Sequence, residues 1–250
     1  MTRTIDDMTK NIYEYSNGKT HDKMSLPYRT YYPSGYDEND GEKYPLLLFL
    51  HGHGECGTDN ELHIRVLQKP NELLDRVIKA DTCIIVAPQC PCAEEKYEWV
   101  NLHHKWGTGS RECPENTPTV ALSAAKELLD TFIATKKVDT ARIYAAGISM
   151  GGYGTWEMIT RYPDVFAAAV PVCGGGFPSC AERLKNVSVW AFHGEADGTV
   201  PARGTHEMEA AMKALGCDVR ATYYEGVGHD SWIPAYKEPE LLEWLFSKSK

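Results

Sequence analysis

The stretch Arg142-Ile143-Tyr144-Ala145-Ala146-Gly147-Ile148-Ser149-Met150-Gly151-Gly152-Tyr153 decides the reading of this chain. A short apolar run, Arg142 to Ala146, meets the pattern G-x-S-x-G and passes into a helical stretch, Tyr153 to Arg161, stopped near Pro163. A strand-to-helix turn this tight strains the serine backbone and needs small residues two positions to either side. It lifts the serine hydroxyl clear of a sheet and aims a helix N-terminus at it, where developing negative charge is favoured. Ser149 is therefore the candidate nucleophile.

Outward from this turn, short β-rich runs alternate with amphipathic segments. Leu46 to Leu50, Cys83 to Ala87, Ala167 to Val172, Val187 to Phe192 and Val219 to Tyr224 read as further strands. They are continuously apolar, as expected where helices cover both sheet faces. Thr117-Pro118 signals the start of a helix carrying Ala121, Ala124, Ala125, Leu128, Leu129 and Phe132. Arg203 to Leu215, ended by Gly216, reads as another helix, and Leu241, Leu242 and Leu245 as a closing one with lysines in its last turn. Residues 1–44, rich in tyrosine, read as antiparallel edge strands joined at Asn17-Gly18. The expected fold is α/β, a mostly parallel central sheet with helices on both faces, in one domain spanning 1–250. The patternless segment 89–116 is expected to lie over the site, since loops this long are usually functional.

A serine hydroxyl needs a base, and the base an orienting acid. In this fold class the order along the chain is serine, acid, histidine. Only His206 and His229 qualify, and His206 falls inside the amphipathic helix. His229, in the loop Gly226-Val227-Gly228-His229-Asp230, is the candidate base. The loop after Val187 to Phe192 offers Glu195 and Asp197; Asp197-Gly198 has the turn chemistry to present a short carboxylate, so Asp197 is preferred. Asp230 is expected to be solvated. Backbone N–H groups of Met150, after the nucleophile, and of His53, in the glycine-rich loop His51 to Gly57, are the candidate oxyanion donors. His51-x-His53 lacks a third ligand at metal-like spacing, so no metal or other cofactor is expected. Among Trp99, Trp106, Trp156 and Trp232, Trp99 and Trp232 are the candidate substrate-binding residues, by their places on the long loop and just after His229.

The whole chain has 250 residues, is 42% hydrophobic and carries a net charge of −9. This length buries a full core without staples, and the acidic balance argues against nucleic acid or an anionic membrane as partner. The eight cysteines lack a metal or redox spacing, Cys90-Pro91-Cys92 being one residue short of it, so most are expected to be free thiols, with Cys83 and Cys173 in the core. The polar start, Met1 to Lys10, has no apolar signal core, so a cytoplasmic location is expected, or a secreted one if a signal has been removed ahead of Met1.

Taken together, Pro45 to Gly52, Gly54-Glu55, Gly57-Thr58-Asp59-Asn60, Ala87 to Pro91 and Gly147 to Trp156 resemble the α/β-hydrolase superfamily. More narrowly, they resemble its carboxylesterase branch related to polyhydroxybutyrate depolymerases, dienelactone hydrolases and feruloyl esterases. Ala191 to Gly194, Asp197, Val200-Pro201 and Gly228 to Trp232 extend the likeness, which covers about residues 28 to 246. The resemblance implies Ser149 as nucleophile, Asp197 as acid, His229 as base, and His53 and Met150 as oxyanion donors. His53 is a departure, because such enzymes usually carry a small or aliphatic residue there; only its backbone is needed for the oxyanion. The function expected is hydrolysis of small or carbohydrate-linked acyl esters, feruloyl or acetyl esters among them, through an acyl-enzyme. A serine peptidase, an acyltransferase and an inactive hydrolase-like binding module are the rival readings.

Overall fold

A computed structural model describes every residue except 1, 2, 19, 40, 102–112 and 116. Trp106, His103 and His104 therefore lie outside the described residues.

The elements run β1 (Thr9–Ser16), β2 (Lys23–Tyr31), β3 (Tyr44–Leu50), the short pair β4 (Arg65–Val66) and β5 (Lys69–Pro70), α1 (Glu72–Ala80), β6 (Ile84–Pro88) and α2 (Val120–Thr135). They continue with β7 (Val138–Ile148), α3 (Met150–Arg161), β8 (Ala168–Val172), β9 (Ser188–Gly194), α4 (Arg203–Ala214), β10 (Val219–Tyr224), α5 (Trp232–Ala235) and α6 (Leu241–Phe246). Eight strands form one sheet in the order β1-β2-β6-β3-β7-β8-β9-β10. The six from β6 to β10 pair in parallel, and β1 and β2 are antiparallel additions at one edge. The expected fold class holds.

The continuous apolar runs are explained by the alternation of side chains along a strand. Leu46, Leu48 and Leu50 point into a core shared with α2, α3 and α4, through residues such as Leu128, Trp156 and Met208. Leu47 and Phe49 point to the opposite face, where Leu74, Val77 and Ile78 of α1 and Leu241 and Leu245 of α6 cover them. Each such leucine, fully buried, contributes roughly 1.5–3 kcal/mol relative to exposure.

Local boundaries differ from expectation where a specific hydrogen bond decides them. The cap of α2 is Thr119 rather than Thr117, because the Thr119 hydroxyl accepts from the Leu122 N–H at 3.1 Å. The β1–β2 hairpin closes through a longer loop, residues 17–22, in which the His21 N–H donates to the Asn17 carbonyl at 2.8 Å. Helix α6 stops before its lysines: the Lys248 ammonium instead pairs with Asp218 at 2.8 Å, and the Lys250 ammonium donates to the Asp164 carbonyl at 2.6 Å. Helix α1 and the β4–β5 hairpin occupy a segment to which sequence reading assigns no element. Asn71 caps α1 by accepting from the Leu73 and Leu74 N–H groups.

The cysteines require a correction. Cys56 is bonded to Cys92 and Cys113 to Cys180, leaving Cys83, Cys90, Cys173 and Cys217 as free thiols. Each bridge joins segments brought together only by folding, so no local spacing announces it. Cys83 and Cys173 are fully buried, as expected of core thiols. No helix among the described residues is long and apolar enough to cross a membrane.

Candidate active site

Parallel strands place their carboxyl ends along one edge of the sheet, where sites form in open α/β sheets. Four loops converge there: 51–57 after β3, Ser149 after β7, the turn at Asp197 after β9, and the loop to His229 after β10.

Ser149 holds φ 53° and ψ −116°, the strained backbone expected of such a turn. The flanking glycines are required by close approach. A Cβ on Gly147 would lie 2.4 Å from the Gly151 carbonyl oxygen, and one on Gly151 only 2.0 Å from that of Leu50. The strand and helix backbones touch, and no side chain fits between them.

From Ser149 a chain of hydrogen bonds runs inward. Ser149 Oγ lies 2.8 Å from His229 Nε2, and His229 Nδ1 lies 2.8 Å from Asp197 Oδ2. The other carboxylate oxygen, Oδ1, accepts from the Thr199 and Val200 N–H groups at 2.9 and 2.8 Å. Burial alone would raise the Asp197 pKa. The bonds from His193, His229, Val200 and Thr199 outweigh it and hold the carboxyl well below the usual range. Asp197 is therefore ionised wherever the fold persists near neutral pH. The two alternatives, Glu195 as acid and His206 as base, pair with each other on the surface at 3.0 Å, and the His206 ring stacks on Tyr223.

A cavity of about 330 Å³ opens above Ser149. Gly52, His53, Gly54 and Glu55 line one side of it, and His229, Thr199 and Trp232 another. Met150, fully buried, opens α3, and the first N–H groups of a helix have no intrahelical acceptor. The loop carrying His53 is set from beneath by His51. The Cys90 N–H donates to His51 Nε2 at 3.0 Å, which leaves the proton on Nδ1 to donate to the Gly52 carbonyl at 2.6 Å. Burial pushes the His51 pKa down to about 4, so the ring is neutral. The His53 imidazole is more than half exposed, 3.6 Å from the Glu98 carboxylate.

Trp232 reaches the cavity as expected, its ring edge-on to His229 with centroids 5.5 Å apart. Trp99 does not. It is fully buried, with its indole N–H donating to the His51 carbonyl at 3.1 Å and its ring against the His51 ring. It supports the loop from below, because its flat apolar body is taken up by the core. Trp156 is likewise buried. His51 and His53 do come close to cysteines, in the groups His51, Cys56, Cys90 and His53, Cys56, Cys92. Cys56 and Cys92 are bonded to each other, so neither offers a thiolate in this state.

Several residues of the site are given no role by the sequence patterns. His193, fully buried, lies 3.4 Å from Asp197 Oδ2 and bonds the Thr205 hydroxyl at 2.7 Å, yet chain order excludes it as base. Its place at the end of a buried strand, within the run Ala191 to Gly194, is the hint the residues offer. Glu55 lines the cavity with its pKa raised by burial. Leu67 also lines it, from a segment without periodicity.

Comparison with known proteins agrees with this architecture. Residues 110–235 match the dienelactone hydrolase family. The chain belongs to that family. Within the wider set, the chain is 36% identical to a thermostable esterase of known structure, with a TM-score of 0.83 over 98% of this chain and 64% of that one. It is 27% identical over 208 residues to an endo-1,4-beta-xylanase/feruloyl esterase of Xylanibacter ruminicola, covering 80% of this chain and 26% of the relative. It is also 41% identical over 59 residues to poly(3-hydroxyalkanoate) depolymerase C of Paucimonas lemoignei, which covers 24% of this chain and 14% of the relative. The chain thus spans only a minor part of these two curated relatives. This dienelactone hydrolase family member shares with the thermostable esterase a common fold over almost its whole length.

Proposed function

We propose that this protein is a serine carboxylesterase acting on small or carbohydrate-linked acyl esters. The observation that carries the reading is the hydrogen-bonded chain Ser149–His229–Asp197 beneath an open cavity. In this scheme His229 Nε2 accepts the Ser149 proton as Oγ attacks the ester carbonyl carbon. Asp197 stabilises the imidazolium and fixes its orientation. The Met150 and His53 N–H groups receive the oxyanion, at the start of α3 and on the loop held by His51. His229 then protonates the departing alcohol oxygen, and water, activated by the same base, releases the acid from Ser149.

Family membership and the likeness to esterases support the reaction class. For the acyl group, the Xylanibacter ruminicola relative's name and the ring of Trp232 in the cavity support a hydroxycinnamoyl ester, with acetyl esters as the small alternative. The two disulfides favour an oxidising compartment over the cytoplasm as the site of action. Titration of the denatured, unreduced protein is expected to find the four free thiols alone.

The test is Ser149→Ala assayed on a short-chain aryl ester, beside active-site labelling with a fluorophosphonate. Activity is expected to fall by at least about 10³-fold, with labelling of the parent protein at Ser149 and none of the variant. Hydrolysis persisting near the parent rate overturns the assignment.

A further inference from the structure

Beyond the cavity at Ser149 lies a second, of about 170 Å³, and the two share Leu67 and Trp232 as common walls. Pro70, Ile233 and Tyr236 line the far part. Two features mark this path as built for a ligand. Leu67 is 67% exposed and Ile233 45%, so two large apolar side chains stand in solvent along one cleft. Leu67 and Gln68, between β4 and β5, both adopt positive φ, 49° and 63°. Glycine or asparagine is usual in such a two-residue turn, and a leucine there is strained. The turn borders the site, because Leu67 lines the Ser149 cavity together with Glu55. A strained, exposed leucine beside a reactive serine has a reason to be there if a ligand covers it.

Chemistry decides which part of a substrate would lie on this path. The carbonyl oxygen must face loop 52–55, and the leaving oxygen must face His229, which protonates it as the bond from acyl carbon to alcohol oxygen breaks. Trp232 is packed on His229 and forms the threshold to the second cavity. We infer that the second cavity is the alcohol-side subsite and takes an apolar alkyl or aryl group, threaded between Leu67 and Trp232. Lys69 and Lys237 line it with Glu72 as the one carboxylate among its lining residues, which disfavours cationic alcohols. This inference rests on the serine esterase reading.

The experiment compares acetate esters of ethanol, 2-phenylethanol and 4-phenylbutanol with methyl esters of lengthening acyl chains, for the parent protein, Leu67→Ala and Ile233→Asp. Fluorophosphonate labelling of Ser149 is run on each. The parent is expected to prefer the 4-phenylbutyl over the ethyl ester by about tenfold in kcat/KM. Both variants are expected to lose most of that ratio while still being labelled. Labelling with an unchanged ratio overturns the inference, as does a shift confined to the acyl series, which would make the cavity an acyl pocket. Absence of labelling in the parent protein overturns the esterase reading, and this inference with it.

Discussion

His51 and Cys90 are joined across the end of the sheet: the Cys90 backbone N–H donates to His51 Nε2 at 3.0 Å, fully out of solvent. This one bond fixes the tautomer of a neutral imidazole. The proton left on Nδ1 then anchors the Gly52 carbonyl, the residue before the candidate oxyanion donor His53.

Replacing His51 by alanine leaves the buried Cys90 N–H without its partner, at a cost of about 1–3 kcal/mol, and leaves the Gly52 carbonyl with the Glu55 N–H alone, at 3.2 Å. The expected result is a lower urea midpoint and a fall in kcat on aryl esters, because loop 52–55 loses its support. His51→Ala with unchanged stability and unchanged kcat would show that the loop is held by other means.

Acid should destabilise the fold in two stages. His51 and His63 are buried, with their pKa values pushed down from 6.5 to about 4 and about 3 by desolvation. The unfolded chain therefore binds protons below pH 6.5 that the folded chain refuses. Stability present above pH 6.5 is lost as pH falls toward 4, each histidine removing ~1.4 kcal/mol for every step of one in pH across that window. Asp197, held below its ordinary value of 3.8, adds a further loss below about pH 4. Urea titrations at pH 7.5, 5.5 and 4.5 measure the first stage, and His63→Gln, which removes one titrating ring, is expected to flatten it.

Asp197→Asn should preserve the fold at neutral pH yet reduce kcat by about 10⁴-fold, because an amide cannot hold the His229 tautomer or stabilise its cation. Circular dichroism and ester hydrolysis on the same sample separate the two effects. Loss limited to a few-fold would overturn the assignment of Asp197 as the orienting acid.

Gly151→Ala should fail to fold or lose most of its stability, since the new Cβ would stand 2.0 Å from the Leu50 carbonyl oxygen with backbone on both sides. Gly41→Ala, where nothing lies within 4 Å, is the control and should stay within ~0.5 kcal/mol of the parent in a denaturant melt.

Much of this is legible in the residues themselves. The apolar run before Gly147, the glycines around Ser149, and the order serine, acid, histidine lead to Ser149, Asp197 and His229, and the structure brings those side chains within 2.8 Å contacts. Local patterns suffice here because the tight turn can be built only from small residues and because strand ends define where loops meet. Four kinds of fact are decided by tertiary structure alone. Which cysteines pair depends on loops far apart in sequence, as Cys56 with Cys92 and Cys113 with Cys180 show. Trp99 and Trp232 look alike as loop aromatics, but one ring is claimed by the core beneath His51 and the other lines the cavity at Ser149 beside His229. His193 meets Asp197 only because the turn after β9 brings the carboxylate back to 3.4 Å from the ring at the strand's end. Leu67 reaches the cavity from a hairpin without apolar period, because folding sets that hairpin beside Glu55 and Trp232. Sequence determines which backbone turns are possible and which chemistry they carry. Burial and long-range contact, which depend on the whole fold, determine which side chains that chemistry meets.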